Sequence, residues 1–336
     1  MINSTRHLLH LLILVGLVSV IVTGCKKDEV QLAKLKTLKV THITSTSAVC
    51  GGSIISDGHS SIIQRGMDWS DNIDSLKTGT FENYFEPTDT FTFSMGGLTP
   101  GRTYYVRPFI KNSSGITYGD IVTFTTQSTA NNNMVFNSGL SYGSVVDFDG
   151  NVYKTIIIGS QTWMAENYRA KHYLNGTAIS EYRVNKHDSL NVKPYGLFYS
   201  FGPIHYSNFA PKGWHVPTVD DWNKLISYLS ANGYNYDLTL TGNKVAKSLA
   251  TTIDWAYDST VGNIGNDISA NNKSGFSALP CGMSYLSSGL TDLGYQAGWW
   301  TNDPKFLYII GSNSEELYQV VDGSNNYYYT VRCIKD

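Results

Sequence analysis

The chain has 336 residues, a formal net charge of −2 and only 15% Asp, Glu, Lys and Arg. With so few charges and no basic stripe among its aromatics, it is not built to neutralise a phosphate backbone, and nucleic acid is excluded as a partner. After residue 22 no apolar run approaches the ~20 residues that a membrane-spanning helix requires.

The N-terminus opens with Arg6 and an apolar run over residues 8–22, followed by Thr23-Gly24-Cys25. The apolar run is too short and too near the start for a stable span, and small residues precede the cysteine. Residues 1–24 therefore read as a signal peptide ending in a lipobox, with Cys25 as the lipid attachment site. Its thiol would take a diacylglycerol, and two or three acyl chains, palmitate among them, would hold the mature N-terminus at about 0.8 kcal/mol per buried CH₂. Residues 25–33 form a tether. Its Lys26-Lys27-Asp28-Glu29 is similar to the Lys-plus-acidic signal that sends some Gram-negative lipoproteins to the outer face of the outer membrane. The expected location is the outer membrane, lipid-anchored and facing the cell exterior.

Residues 34–127 read as strands. Val40-Thr41-His42-Ile43-Thr44, Ala48-Val49-Cys50-Gly51-Gly52 and Ser61-Ile62-Ile63-Gln64-Arg65-Gly66 alternate, and Ser56-Asp57-Gly58, Ser70-Asp71-Asn72 and Ser113-Ser114-Gly115 separate them as turns. Short strands so spaced predict an all-β antiparallel sandwich. Leu98-Thr99-Pro100-Gly101-Arg102-Thr103-Tyr104 leads into one strand, and Trp69 closes an Arg-Gly-x-x-Trp-Ser pattern. This passage resembles the tyrosine corner of fibronectin type III domains, and the resemblance implies a spacer or interaction module without catalytic residues. Cys50 reads as a buried small hydrophobe.

Residues 128–142, beginning Ser128-Thr129-Ala130-Asn131-Asn132-Asn133, are polar and small and read as a linker. Beyond it, Asp149-Gly150 between two alternating runs predicts a hairpin. Thr218, with Asp220 and Asp221 in the first turn, predicts a helix start. Trp222, Leu225, Ile226 and Leu229 would line its buried face, and Asn232-Gly233 would end it. Strand-like segments return at residues 276–279, 306–310, 317–321 and 327–334. Nineteen of the 23 tyrosines and six of the seven tryptophans lie after residue 135, which makes this part of the chain the place to look for a stacking surface.

Six motifs stand in order here: Asp149-Gly150-Asn151-x-Tyr153, Ile158-Gly159-x-Gln161-x-Trp163-Met164-Ala165-Glu166-Asn167, Gly213-Trp214-His215-Val216-Pro217, Ser274-Gly275-Phe276-x-Ala278-Leu279-Pro280, Trp299-Trp300-Thr301 and Val331-Arg332-Cys333-Ile334-Lys335-Asp336. They resemble the Fibrobacter succinogenes major paralogous domain over residues 143–336. That family is similar in outline to formylglycine-generating-enzyme and C-type-lectin-like folds, so the resemblance implies an α+β, loop-rich head of C-type-lectin-like build. Many members carry Cys before Pro-x-Gly-Trp-His, where this chain has Ala210. Cys333 thereby loses its usual candidate partner, and Cys281 is the replacement. Outside the cytoplasm a Cys281–Cys333 disulfide would persist, but the sequence does not show whether the two Cα atoms come within bonding range.

Several groups invite a chemical reading. Tyr285, Tyr295, Trp299 and Trp300, in and beside a Gly/Ser-rich stretch, are candidates for a stacking platform for glycan or peptide. Asp147-x-Asp149-Gly150-Asn151 hints at a calcium loop but has Ile158 where an EF-hand needs its twelfth-position Glu. Asn302 and Asp303, after Trp300-Thr301, are similar to half of the calcium ligand set of sugar-binding C-type lectins; the other half is missing. His215 has no nucleophile at recognisable spacing. Glu166 and Asp221, as a glycosidase pair, sit in motifs that read as a turn and a helix cap. No cofactor is implied. The expected protein is a non-catalytic surface lipoprotein whose head binds glycan or a protein partner in adhesion or polysaccharide capture. The alternatives are a structural subunit of a surface appendage and an enzyme acting on surface polysaccharide.

Overall fold

Alternating side chains of a strand leave by opposite faces, so one face can be buried while the other stays wet. A computed structural model of the chain describes residues 29–82, 88–128, 134–184, 192–285, 289–303, 305–321 and 326–336; Cys25, Lys26, Lys27 and Asp28 lie outside them. The first domain contains β1 (Lys34–Thr37), β2 (Ala48–Ser56), β3 (Gln64–Ser70), β4 (Lys77–Glu82), β5 (Thr90–Met95), β6 (Thr103–Asn112), β7 (Gly115–Tyr118) and β8 (Val122–Thr125). They pair antiparallel in two sheets, β1-β2-β5 and β4-β3-β6-β7, with β8 continuing the edge that β7 begins along β6. Ala48, Cys50 and Met95 from one sheet meet Met67, Val106 and Phe124 from the other in one core. The Thr99 amide donates to the Tyr104 hydroxyl at 2.9 Å, and Leu98 is buried in the same core. The corner and the sandwich are those that the resemblance to fibronectin type III domains implied. Residues 40–44, expected as a strand, contribute only the single bridge Thr41–Val49, because His42 takes a φ of 48° that breaks the extended run.

The second domain is also mostly β, with one long helix. Its strands are β9 (Gly143–Val146), β10 (Val152–Ile158), β11 (Gln161–Met164), β12 (Tyr182–Arg183), β13 (Phe198–Tyr199), β14 (Trp214–His215), β15 (Met283–Tyr285), β16 (Gly289–Thr291), β17 (Gln296–Trp300), β18 (Phe306–Gly311), β19 (Tyr318–Val321), β20 (Tyr327–Tyr328) and β21 (Ile334–Lys335). The main sheet runs β14-β21-β11-β10-β9; around it lie β17-β18-β19, β16-β15-β20 and the pair β12-β13. Gly150, at φ 78°, makes the expected hairpin between β9 and β10. The helix Val219–Ala231 starts in a capping box: Thr218 accepts from the Asp221 amide and Asp221 returns the bond to the Thr218 amide. Trp222, Leu225 and Leu229 are buried, and Asn232 caps the end.

Two aromatic clusters fill this domain. One centres on Trp163, Trp222, Phe276, Trp299 and Tyr308, with ring centroids 4.7 Å apart for Trp163–Trp222 and 5.0 Å for Trp222–Tyr308. The other gathers Tyr168, Tyr199, Phe209, Trp300 and Tyr329. Two expectations change. Residues 134–142 are part of the head, not a linker: Met134 is in the core, Phe136 and Tyr142 pack on it, and the Asn137 side chain donates through Nδ2 to the Asn272 carbonyl at 2.9 Å. Residues 276–279 form a loop with the single bridge Ala250–Ala278 and not a strand: Ser277 takes a φ of 58°, and the carbonyls of Phe276 and Ser277 turn to Arg332. That guanidinium, fully buried, donates to the carbonyls of Phe276 and Ser277 (3.0 Å for the latter) and to Asn167 Oδ1 at 2.8 Å. Burial lowers the Arg332 pKa to about 9.

Candidate functional site

The four aromatics expected to form one platform are dispersed. Trp299 and Trp300 are 0% and 1% exposed. The Trp299 indole donates to Asn167 Oδ1 at 3.0 Å and the Trp300 indole to the Tyr199 carbonyl at 2.9 Å, so both are core residues with their one polar atom satisfied. Tyr295 stands against the sandwich, its hydroxyl donating to the Ser94 carbonyl at 3.2 Å. Tyr285 is half-buried on β15, 4.5 Å from Tyr327 between ring centroids.

The cysteines are packing residues as well. Cys50, Cys281 and Cys333 are free and buried. The Cys281–Cys333 pairing that the sequence left open is not formed: the two thiols belong to different core clusters, Cys281 with the Trp299 group and Cys333 with the Trp300 group. Burial pushes the Cys281 thiol up to about 11 and the Cys333 thiol well above its ordinary value, so neither is a nucleophile at neutral pH. Ala210 fills its place in the Cys333 cluster as a small buried apolar group.

The calcium candidates are consumed by their own loops. Asp147 accepts from the Asn151 amide at 2.9 Å, from its side chain at 2.8 Å and from the Tyr153 hydroxyl at 2.6 Å. Asp149 accepts from the Lys171 amide at 2.6 Å and pairs with His172 Nδ1 at 2.5 Å. Burial works to raise the Asp149 carboxyl, but these donors outweigh it and hold the group below its usual value. Asp303 Oδ1 accepts from the Lys305 amide at 3.0 Å and the Asn302 amide donates to the Pro217 carbonyl at 2.9 Å, which makes the pair a turn. Among the described residues no group of three or more His, Cys, Asp or Glu is placed to hold a metal ion.

The acid–base candidates are tied down in the same way. Glu166 accepts from the Lys154 amide at 2.5 Å and pairs with Arg169 at 3.5 Å. In Asp221 burial favours the neutral acid, but the Thr218 hydroxyl and amide and His215 prevail, and its pKa falls below the usual value. The His215 ring lies between two carboxylates, Nδ1 2.7 Å from Asp336 and Nε2 3.2 Å from Asp221. Both ring nitrogens are thereby occupied in a latch that fastens the C-terminus to the helix start.

One surface groove has a different character. The loop through Tyr173 turns at Gly176, whose φ is 81°; the Tyr173 amide donates to the Thr177 carbonyl at 2.9 Å. The Leu174 amide donates to the Asn208 carbonyl at 2.9 Å and fixes this loop beside the segment that follows the helical turn Phe201–Ile204. Between them opens a groove of about 370 Å³, bordered by Tyr173, Asn175, Thr177, Glu181, Tyr206 and Asn208. Tyr206 is 62% exposed and meets Tyr173 edge to face at 5.7 Å. Glu181 is held by the Ser200 hydroxyl at 2.5 Å. Partial burial, then the nearby Tyr206 and Glu181, raise the Tyr173 pKa, so its hydroxyl stays protonated as a donor. The groove combines two rings with amide, hydroxyl and carboxylate groups. The sequence signal for it was modest: Tyr173-Leu174-Asn175-Gly176-Thr177 and His205-Tyr206-Ser207-Asn208 each set a tyrosine beside turn-forming Asn or Gly.

No curated protein matches the chain. Solved structures that resemble part of it include the sensor domain of the anti-sigma factor RsgI4 of Pseudobacteroides cellulosolvens, 17% identical, covering 30% of this chain and 99% of its own at a TM-score of 0.25. The sixth fibronectin type III domain of human fibronectin type III domain containing protein 3 is 20% identical, covering 34% of this chain and 95% of its own at a TM-score of 0.26. The family model described as the Fibrobacter succinogenes major domain matches residues 156–335. That span takes in the capped helix, the buried Arg332 and both aromatic clusters save their earliest members, and it is more than half of the chain: the protein belongs to the Fibrobacter succinogenes major domain family.

Proposed function

We propose that this protein is a non-catalytic lipoprotein of the outer membrane, anchored through Cys25 and facing the cell exterior, whose head captures glycan in the Tyr173–Tyr206 groove. The carrying observation is the exposed Tyr206 beside Tyr173, bordered by Asn175, Asn208 and Glu181. Sugar rings stack their C–H faces on aromatics while their hydroxyls bond to amides and carboxylates, and this groove offers both. The loop-rich α+β head is consistent with a C-type-lectin-like outline, in which loops carry recognition. The sandwich acts as a spacer between lipid and head. The non-catalytic reading is supported by Glu166, Asp221 and His215, each engaged in holding a turn, a cap or the C-terminus.

A glycan panel probed with the chain from residue 29 onward tests this. Binding is expected, and Tyr206→Ala should weaken it about tenfold, equivalent to about 1.4 kcal/mol. A panel with no binder, or binding indifferent to Tyr206→Ala, defeats the glycan reading. Turnover of a panel glycan that a folded His215→Ala or Glu166→Ala variant loses defeats the non-catalytic one. The second reading, an assembly subunit, draws on the exposed Val146, Val152 and Ile157 on β9 and β10, where β9 is a sheet edge able to accept another strand. Self-association lost on placing a proline within β9 would favour it.

A further inference from the structure

The Tyr173–Tyr206 groove has a charge pattern of its own. Of the described residues that line it, Glu181 is the one with a charge; the rest are tyrosine, amide, hydroxyl or small side chains, with no Lys, Arg or His among them. The cations nearby in sequence are placed elsewhere. Lys171, at the start of the same loop, is outside the lining. The His172 ring pairs with Asp149. Arg183 donates to the Tyr285 carbonyl and lies over the Tyr328 ring at 4.4 Å. Ser200 is a hydrogen-bond partner of the Glu181 carboxylate, and no described residue pairs with it as an ion.

The carboxylate is also fixed in place. Glu181 directly precedes β12 and Ser200 directly follows β13, so the ladder Tyr182–Tyr199 and Arg183–Phe198 brings the two together. The Ser200 amide donates to the Glu181 carbonyl at 3.1 Å and the Ser200 hydroxyl to Oε2 at 2.5 Å. Gly202 stands beside the same oxygen: a Cβ there would lie 3.3 Å from it, closer than side chains normally pack. A charge held by its own ladder does not swing away when a ligand of the same sign arrives. Its field reaches the rings: after burial and Tyr206, Glu181 is the third cause of the raised Tyr173 pKa.

Rings that stack and amides that bond hydroxyls treat a neutral sugar and the uronic acid of the same ring alike; a fixed charge does not. Like charges a few ångströms apart repel even in water, and more strongly where side chains exclude it. A repulsive element of this kind is a common source of specificity. Resting on the reading that this groove takes glycan, we infer that Glu181 sets its charge specificity: the groove binds uncharged sugar units, whose hydroxyls donate to the carboxylate, and turns away units that carry a carboxylate of their own. The ring pair supplies affinity and Glu181 supplies the choice.

The test titrates the chain from residue 29 onward by calorimetry at low salt with cellotriose, mannotriose and galactotriose, and with the matching uronates, cellotriuronate, trimannuronate and trigalacturonate. At least one neutral trisaccharide should bind, and its uronate should bind at least about fivefold more weakly. In about 1 M NaCl, where charges are screened beyond about 3 Å, that gap should narrow. Glu181→Gln keeps an acceptor for Ser200 and should tighten the uronate at least about fivefold while changing the neutral sugar by less than about threefold. Tyr206→Ala should weaken both sugars by the same factor and leave the gap unchanged. A uronate bound as tightly as its neutral partner overturns the inference, as does a gap that Glu181→Gln leaves intact. If such equal binding is still lost in Tyr206→Ala, the glycan reading stands and only the role of Glu181 falls. Silence across all six sugars defeats the glycan reading itself, and this inference with it.

Discussion

The sandwich and the head solve the same problem by different means. In the sandwich two antiparallel sheets supply the backbone pairing, and Ala48, Cys50, Met67, Met95 and Val106 close the space between them in a cluster with two buried rings, Tyr104 and Phe124. In the head the sheets are short and loops carry much of the chain, so side chains must satisfy backbone that no ladder reaches. Arg332 and Asn167 do this at the centre: Arg332 gathers loop carbonyls, while Asn167 accepts from Arg332 and Trp299 and donates to the Tyr195 carbonyl at 2.9 Å. Large rings then fill the irregular volume that remains. Regular pairing makes a core tolerant of modest side chains, whereas irregular backbone demands a few buried polar hubs.

The sharpest way to break this contrast is to remove the hub. Arg332→Ala leaves the Phe276 and Ser277 carbonyls and Asn167 Oδ1 without their donors and should destabilise the head by on the order of 4 kcal/mol or more. Urea unfolding followed by tryptophan fluorescence should show it, since six of the seven tryptophans are in the head. A loss under 1 kcal/mol would mean the loops hold without their hub. Trp299→Ala should come close behind, at about 3–5 kcal/mol, for the cavity it opens and the Asn167 bond it breaks. An unchanged midpoint there would return Trp299 to the surface.

Tyr104→Phe sharpens the other side. It deletes one hydrogen bond, from the Thr99 amide, and should cost about 1 kcal/mol. The loss should fall on the sandwich and leave the tryptophan-reported transition of the head in place. A shift of both transitions together would show that the contact between the domains, where the Gly97 amide donates to the Leu293 carbonyl at 3.2 Å, makes them one cooperative unit.

The smallest effect concerns pH. Asp254, whose Oδ1 accepts from the Ser45 hydroxyl and amide, has a pKa raised by burial in the folded chain. Between the ordinary carboxyl value of 3.8 and that raised value, the folded state keeps a proton that the unfolded state has released. Its contribution is therefore complete below the ordinary value and declines as pH rises through the folded one. Asp254→Asn should remove that decline while keeping Ser45 bonded. Parallel stability–pH curves for the two proteins would refute the assignment.

Much of this architecture was legible in the sequence. Alternation announced most of the sandwich strands, Asp149-Gly150 the hairpin, Thr218 and Asp221 the capped helix, and Leu98 with Tyr104 the corner; all are local devices whose chemistry is complete within a few residues. Position 42 escaped this reading because a left-handed histidine leaves no mark in an alternating pattern.

What only the tertiary structure decided was which aromatics are hidden. Trp299 and Trp300 are neighbours on β17, so their side chains leave by opposite faces. A strand with one wet face would have exposed one of them. Here the Trp222 cluster covers one face and the Tyr199 cluster the other, and both indoles are buried. Tyr206, with the same ring chemistry, stays 62% exposed at the mouth of its groove, in contact with the ring of Tyr173. Composition and spacing set how many rings the head contains; the layers packed on each side of a strand set which of them can meet a ligand.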